Sequence, residues 1–478
     1  YRLNDGSVGS LDFREKAPRK ATRNMYLDDN NEVYIEKSKF GHLASGIPGS
    51  VDGMVKLHEK FGSLDWKNLL EPSIKLSKNG FKLTKNQAIS LNGVKESFLK
   101  LNDSSISLIN KNEWKENDLL VQNNLYKTLE RIKNDKRAGF YSGETAQLLL
   151  NEMNQGNGIF TLEDLDNYSS IWREPIIGNY KNHKIISIGP PSSGGIALVQ
   201  MLNGAEKLNV NKYEHNSKDY IHVISEIESR VYADRATYLG DPDFFEVPSN
   251  TLISDKYLQN KFSTIDLNKK TPSSDIKEGQ ITMNETEETT HFSIVDKFGN
   301  AVSITTTING SYGSKVVVDG AGFLLNNEMD DFSIKPGFPN MFGLTGGEAN
   351  AIEGNKRMLS SMTPTIIEKE GELFMVLGTP GGSTIITSVF QTILNVIDFN
   401  MNMQEAVDSK KFHHQWSPDV IVIEKNTIKD DIKDNLIKMG HKFDETPSIG
   451  RMDCILVNES SKLEGGADKR GDDIAIGF

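Results

Sequence analysis

One cysteine, Cys454, stands in 478 residues. A lone cysteine cannot close an internal disulfide, so no disulfide framework is available to this chain. Its flank, Met452-Asp-Cys-Ile-Leu-Val457, reads as a strand, and the thiol as a small buried hydrophobe. The chain lacks any long apolar run, so no membrane-spanning helix is expected. No signal peptide is visible. Positive charge is in short supply: 54 Lys and Arg face 66 Asp and Glu, a net charge of −12. That balance excludes a broad basic surface, and with it nucleic acid as the main partner. It leaves room for a local basic pocket that takes a small anion. No internal repeat and no Gly-Lys-Ser/Thr phosphate loop occurs. His413 and His414 are adjacent, which sets them on different sides of a helix. No third ligand has suitable spacing, so neither a metal nor a cofactor is expected.

What is present is hydrophobic periodicity of two kinds. Residues 1–170 read as mainly helical after an opening hairpin, with helical spacing over Val51 to Gly62 and Trp66 to Asn79. Lys95 to Asn134 is polar and reads as helices joined by loops. The hairpin itself, Tyr1 to Phe13 around Asn4-Asp5-Gly6, opens so abruptly that a preceding segment is expected to be missing. Ile185 to Gly195 is a strand and turn leading into a helix through Leu202. Ile221, Ile224, Ile227 and Val231 mark one face of a helix over Tyr220 to Leu239. Asn268 to Glu288 is Lys-, Glu-, Thr- and Ser-rich and reads as an exposed segment suited to processing. After it the period falls to two. His291 to Asp296 and Ala301 to Ile308 form one hairpin, and Pro364 to Lys369 with Leu373 to Gly378 form a second. Thr379-Pro-Gly-Gly-Ser383 then opens a helix whose apolar residues run to Ile397. Sheet covered by helices is an α/β layered fold.

The change of pattern falls at Glu288-Thr289-Thr290-His291. If the bond after Glu288 is cut, Thr289 gains a free α-amine beside its own hydroxyl. Such an amine has a pKa near about 7.7–8.0 and can serve as the general base for that hydroxyl. Nucleophile and base then sit on one residue.

Thr289-Thr-His-Phe-Ser-Ile-Val-Asp-Lys-Phe-Gly-Asn-Ala-Val resembles the start of the small subunit of γ-glutamyltransferases (glutathione hydrolases). So do Leu325-Asn-Asn-Glu-Met-Asp-Asp-Phe-Ser333, Asn355-Lys-Arg-Met-Leu-Ser-Ser-Met-Thr-Pro364 and Gly378-Thr-Pro-Gly-Gly-Ser383. Upstream, Phe13-Arg-Glu-Lys-Ala-Pro18, Ala21-Thr-Arg23, His42 to Gly49, Pro190 to Gly195 and Tyr232 to Pro242 continue the resemblance in the same order. It spans nearly the whole chain.

The resemblance implies an N-terminal-nucleophile hydrolase fold, a four-layer αββα sandwich. It implies a bacterial-type precursor that cuts itself into a large subunit, 1–288, and a small subunit, 289–478. It assigns Thr289 as nucleophile and Thr307 as the residue that aims it. Gly381 and Gly382 would present N–H groups to the oxyanion, which suits a turn that precedes a helix. Arg23 would hold the α-carboxylate of a γ-glutamyl group, with Ser360 and Ser361 as further donors. Asn309, Glu328 and Asp331 would accept from its α-ammonium. Substrates would be glutathione and related γ-glutamyl compounds, with water, amino acids or peptides as acceptors. Lys335 to Gly347 resembles a lid loop. Phe342 stands where some members carry a tyrosine that latches to the residue matching Asn309, which predicts a looser lid. A periplasmic or secreted location is also implied. Two other readings stay open: a glutaryl or cephalosporin-type acylase of the same superfamily, and an unprocessed, non-catalytic homologue.

Overall fold

The computed structural model describes residues 1–103, 105–276 and 289–477. The alternating segments form strands β1 (Ile176–Tyr180) and β2 (His183–Ser187), followed by helices α1 (Gly194–Lys207) and α2 (Lys218–Tyr238). Next come β3 (Thr290–Val295) and β4 (Ala301–Thr306), then β5 (Thr365–Lys369) and β6 (Glu372–Leu377). Helix α3 (Ile385–Ile397) precedes β7 (Asp453–Val457) and β8 (Leu463–Ala467). Six strands make one antiparallel sheet in the order β8-β7-β6-β5-β2-β1, and β3 with β4 makes a second. The second sheet packs on the middle of the first.

Period-two alternation decides which face each side chain serves. Ile367, Met375 and Leu377 point to one side of the large sheet and join Leu198 and Met201 of α1, Ile224 and Ile227 of α2, and Val389 and Ile393 of α3. Their neighbours Ile366 and Val376 point the other way and pack on Ala301, with Val295 beside them. Burying each such Ile or Leu contributes about 1.5–3 kcal/mol, so the apolar stripe fixes α3 more than helix propensity does. The outer face of the β3-β4 hairpin, chiefly β4, looks across an apolar cavity of about 310 Å³ toward Met54 and Leu57 of helix Ser50–Phe61. The helices expected in the first part are present, including Trp66–Asn79, Lys85–Leu99 and Asn123–Asp135.

One expectation is corrected in part. The stretch after Asn268 is not simply exposed. Lys270 is buried against Asp419, Thr271 donates to Glu226 at 2.7 Å, and the Trp416 indole donates to the Ile276 carbonyl at 2.8 Å. Residues 277–288, with the expected cut after Glu288, lie outside the described residues.

Candidate active site

Strand register builds the surroundings of Thr289. Thr290 pairs with Thr306 and His291 with Thr305, so the same register continued by one residue sets Thr289 opposite Thr307. The Thr289 hydroxyl donates to Thr307 Oγ1 at 3.4 Å, and that oxygen also accepts from the Asn309 amide at 2.8 Å. His291 points inward. Its ring meets Thr305 Oγ1 at 2.8 Å and Ser293 Oγ at 3.2 Å, and burial pulls its pKa down to about 3. The imidazole is therefore neutral at any working pH, and a Cβ at Gly378 would collide with it.

The turn after β6 supplies the opposite wall. Gly381 has φ 138° and Gly382 φ 49°, conformations that disfavour any side chain. The Gly381 carbonyl caps the turn by accepting from Thr384 N at 2.8 Å. Among the described residues, neither the Gly381 nor the Gly382 amide has an acceptor, and both precede α3, where the helix dipole favours an anion. A Cβ at Gly382 would lie 2.7 Å from the Phe342 ring.

The third wall is charged. Arg14 pairs with Glu328 through Nη1 and with Asp331 through Nη2 at 2.5 Å, and Glu15 lies 3.9 Å away. All four are buried or nearly so. Burial pushes the Glu15 carboxyl up to about 7, with Arg14 opposing. Burial also raises Glu328 and Asp331, again against the pull of Arg14. Burial works to lower the Arg14 guanidinium, but Glu328, Asp331 and Glu15 outweigh it and hold it above its ordinary value. Three carboxyls crowd the Arg14 guanidinium, with Arg235 attracting Asp331 from further off, so the cluster carries surplus negative charge or a retained proton.

Thr289, Thr307, Asn309, Asp331, Ser360, Ser361 and Gly382 open on one cleft, together with Arg14 and Phe342. Gly381 adjoins it in sequence, and Glu328 stands behind Arg14. Arg23 is elsewhere. It donates to the Ser333 carbonyl at 3.0 Å and pairs with the exposed Glu348 at 2.7 Å. The expectation that Arg23 reaches the cleft is therefore corrected: Arg14, nine residues earlier in the Phe13-Arg-Glu-Lys-Ala-Pro18 motif, is the arginine in it. Its partners lie more than 300 residues away, at Glu328 and Asp331. Sequence reasoning also missed Arg235, Asp330 and Asn340. The lid is tied through the last two: Asn340 Nδ2 donates to Asp331 at 3.0 Å and the Met341 amide to Asp330 at 2.7 Å. Asn309 Nδ2 donates to the Asn327 carbonyl at 3.0 Å and contacts Met341 Sδ at 3.6 Å, while the Phe342 ring turns toward Gly382. His413 bonds Thr387 and Gln415, a packing role.

A threonine at the head of a hairpin stacked on a helix-covered sheet is the arrangement of the N-terminal-nucleophile hydrolase fold. The fold agrees: a cephalosporin acylase from Bacillus halodurans superposes with a TM-score of 0.81 at 22% identity, over 98% of this chain and 84% of that one. The γ-glutamyltranspeptidase family model matches residues 1–478. A glutathione hydrolase proenzyme of Escherichia coli (strain K12) is 42% identical over 484 residues, covering 100% of this chain and 83% of that protein. A Helicobacter pylori γ-glutamyltranspeptidase structure is 42% identical over 58% of this chain and 80% of that one, with a TM-score of 0.56. The chain belongs to the γ-glutamyltranspeptidase family and is an enzyme of it.

Proposed function

We propose that this chain is a self-processing γ-glutamyltransferase and glutathione hydrolase in which Thr289 is the nucleophile. The observation that carries the reading is the convergence of Thr289, the Gly381-Gly382 turn and the Arg14-Asp331 pair on one cleft. In the precursor, the Thr289 hydroxyl attacks the Glu288 carbonyl. The amide becomes an ester, and water opens it to a Glu288 carboxylate and a free Thr289 amine. The large chain is then 1–288 and the small chain 289–478.

In turnover the hydroxyl attacks a γ-glutamyl amide carbonyl. Its proton passes through the α-amine to the leaving amine. The Gly381 and Gly382 amides stabilise the tetrahedral oxyanion, and Thr307 holds the attacking oxygen. Water or an amino-acid amine then releases the γ-glutamyl group. Arg14, in the place first given to Arg23, takes the α-carboxylate with Ser361, and Ser360 lies beside them. Asn309 and Asp331 face the α-ammonium, and Glu328 behind Arg14 adds negative charge. The surplus of carboxyls around Arg14 favours this substrate over a glutaryl group, since an incoming ammonium offsets buried negative charge and a glutaryl chain does not. Among the described residues no helix is long and apolar enough to cross a membrane. We assign the mature enzyme to the periplasm or exterior, as its bacterial character implies, which cell fractionation tests.

Intact mass and paired anilides test the function. Wild type is expected as two fragments that release amine from a γ-glutamyl anilide far faster than from a glutaryl anilide. Thr289→Ala is expected as one uncut, inactive chain. Two fragments from that variant, or glutaryl preference in wild type, would sink the reading.

A further inference from the structure

Helix α2 carries a buried guanidinium that no carboxylate touches among the described residues, with Asp331 attracting it only from a distance. Arg235 is 5% exposed and makes no ion pair among the described residues. Instead its Nε donates to Ser193 Oγ at 3.0 Å and its Nη2 to Ser361 Oγ at 3.1 Å. A buried cation bound only by hydroxyls is costly unless the site uses its charge.

The hydrogen bonds say how. A serine hydroxyl has one proton to give. Ser193 gives its proton to the Ser360 carbonyl at 2.7 Å. Ser192 gives its own to the Met362 carbonyl at 2.6 Å, which leaves Ser360 Oγ to donate to Ser192 at 3.1 Å. Ser361 differs. Arg235 occupies a lone pair of its oxygen, and among the described residues no acceptor takes its proton. The Ser361 hydroxyl lines the cleft that holds Thr289 and Arg14. A donor polarised from behind by a cation and free in front suits an anion. One turn earlier on the same helix face, Tyr232 donates to the Ser383 carbonyl, beside the Gly381-Gly382 turn. One helix thus braces both the carboxylate loop and the oxyanion loop.

We infer that Arg235 is a specificity-determining positioning residue: it acts through Ser361, whose hydroxyl it commits to donating to the α-carboxylate of the γ-glutamyl substrate. The inference rests on the γ-glutamyl reading above. Arg235 itself need not touch substrate.

A double-mutant cycle on processed enzyme tests it, with Arg235→Gln, Ser361→Ala and the pair. The substrates are a γ-glutamyl anilide and a 4-aminobutyryl anilide, which keeps the ammonium and lacks the carboxylate. Arg235→Gln is expected to raise KM for the γ-glutamyl substrate about tenfold, the scale of one charge-assisted hydrogen bond, with kcat within about twofold. It is expected to add little once Ser361 is alanine, and to leave 4-aminobutyryl turnover unchanged. Additive effects in the cycle, or equal loss on both substrates, would overturn the inference. If Arg235→Gln stays uncut, Arg235→Lys carries the measurement. Its single ammonium cannot bridge Ser193 and Ser361, so it should give a smaller KM rise, again abolished in the Ser361→Ala background. A wild type that cleaves itself but ignores γ-glutamyl anilide refutes the proposed function. A wild type that is active but gives an additive cycle refutes only the role of Arg235.

Discussion

The two sides of the cleft are built from opposite materials. The Thr289 side is neutral: hydroxyls of Thr289, Thr305 and Thr307, an uncharged His291 and backbone amides of glycine. The Arg14 side is crowded with buried charge at Arg14, Glu15, Glu328 and Asp331. On the proposed function, the difference follows from what each side must do. A transition-state oxyanion appears and vanishes within each turnover, and fixed dipoles can wait for it at little cost. A zwitterionic substrate brings full charges, and only opposite charges held ready can pick it out.

The contrast can be broken by substitution. Arg14→Gln is expected to have the largest effect. It strands Glu328 and Asp331, so stability should fall by about 3–5 kcal/mol in chemical denaturation, and KM should rise in whatever folds. Gly382→Ala should spare stability more and strike the chemical step. At φ 49° and against the Phe342 ring, an added methyl misaligns the turn, and kcat is expected to drop about 10²-fold with KM nearly unchanged. His291 gives a pH test. Its folded pKa is near 3 and its unfolded value near 6.5, so the unfolded state binds the extra proton between them. Stability from this residue is complete above pH 6.5 and is lost as pH falls toward 3. Melts should show roughly 2 kcal/mol less stability at pH 5 than at pH 7, and His291→Gln should remove that dependence. Arg23→Gln should do least. A partly exposed pair with Glu348 contributes about 0–1 kcal/mol, and KM should not move. A KM effect from Arg23 equal to that from Arg14 would erase the distinction between them.

The sequence made the elements legible where periodicity was long or turns were strong. Both hairpins and helices α2 and α3 fall close to where alternation and apolar stripes put them, because burial of a face leaves a regular trace. Thr289 stood out as the proposed nucleophile because a change of period falls there. The arginine of the cleft was not. Arg14 and Arg23 sit in neighbouring motifs, and only partners brought from Glu328 and Asp331 tell them apart. Arg235 was hidden for a related reason. Its helix is buried on nearly every side, so a charge inside it breaks the pattern without naming its partner. Lys270 misled in the same way, since a polar stretch reads as exposed until Asp419 is placed beneath it.

The large sheet mixes strands from both sides of position 289: β2, from before it, pairs along its length with β5, from after it. Cutting the chain therefore changes the molecularity of folding. The uncut polypeptide refolds as a first-order event, indifferent to concentration. The cut protein must bring two strangers together to rebuild one sheet, so its recovery from denaturant should fall on dilution and its melting midpoint should rise with concentration. Maturation, on this account, is a one-way passage: it frees an amine and forfeits the easy route back to the native state.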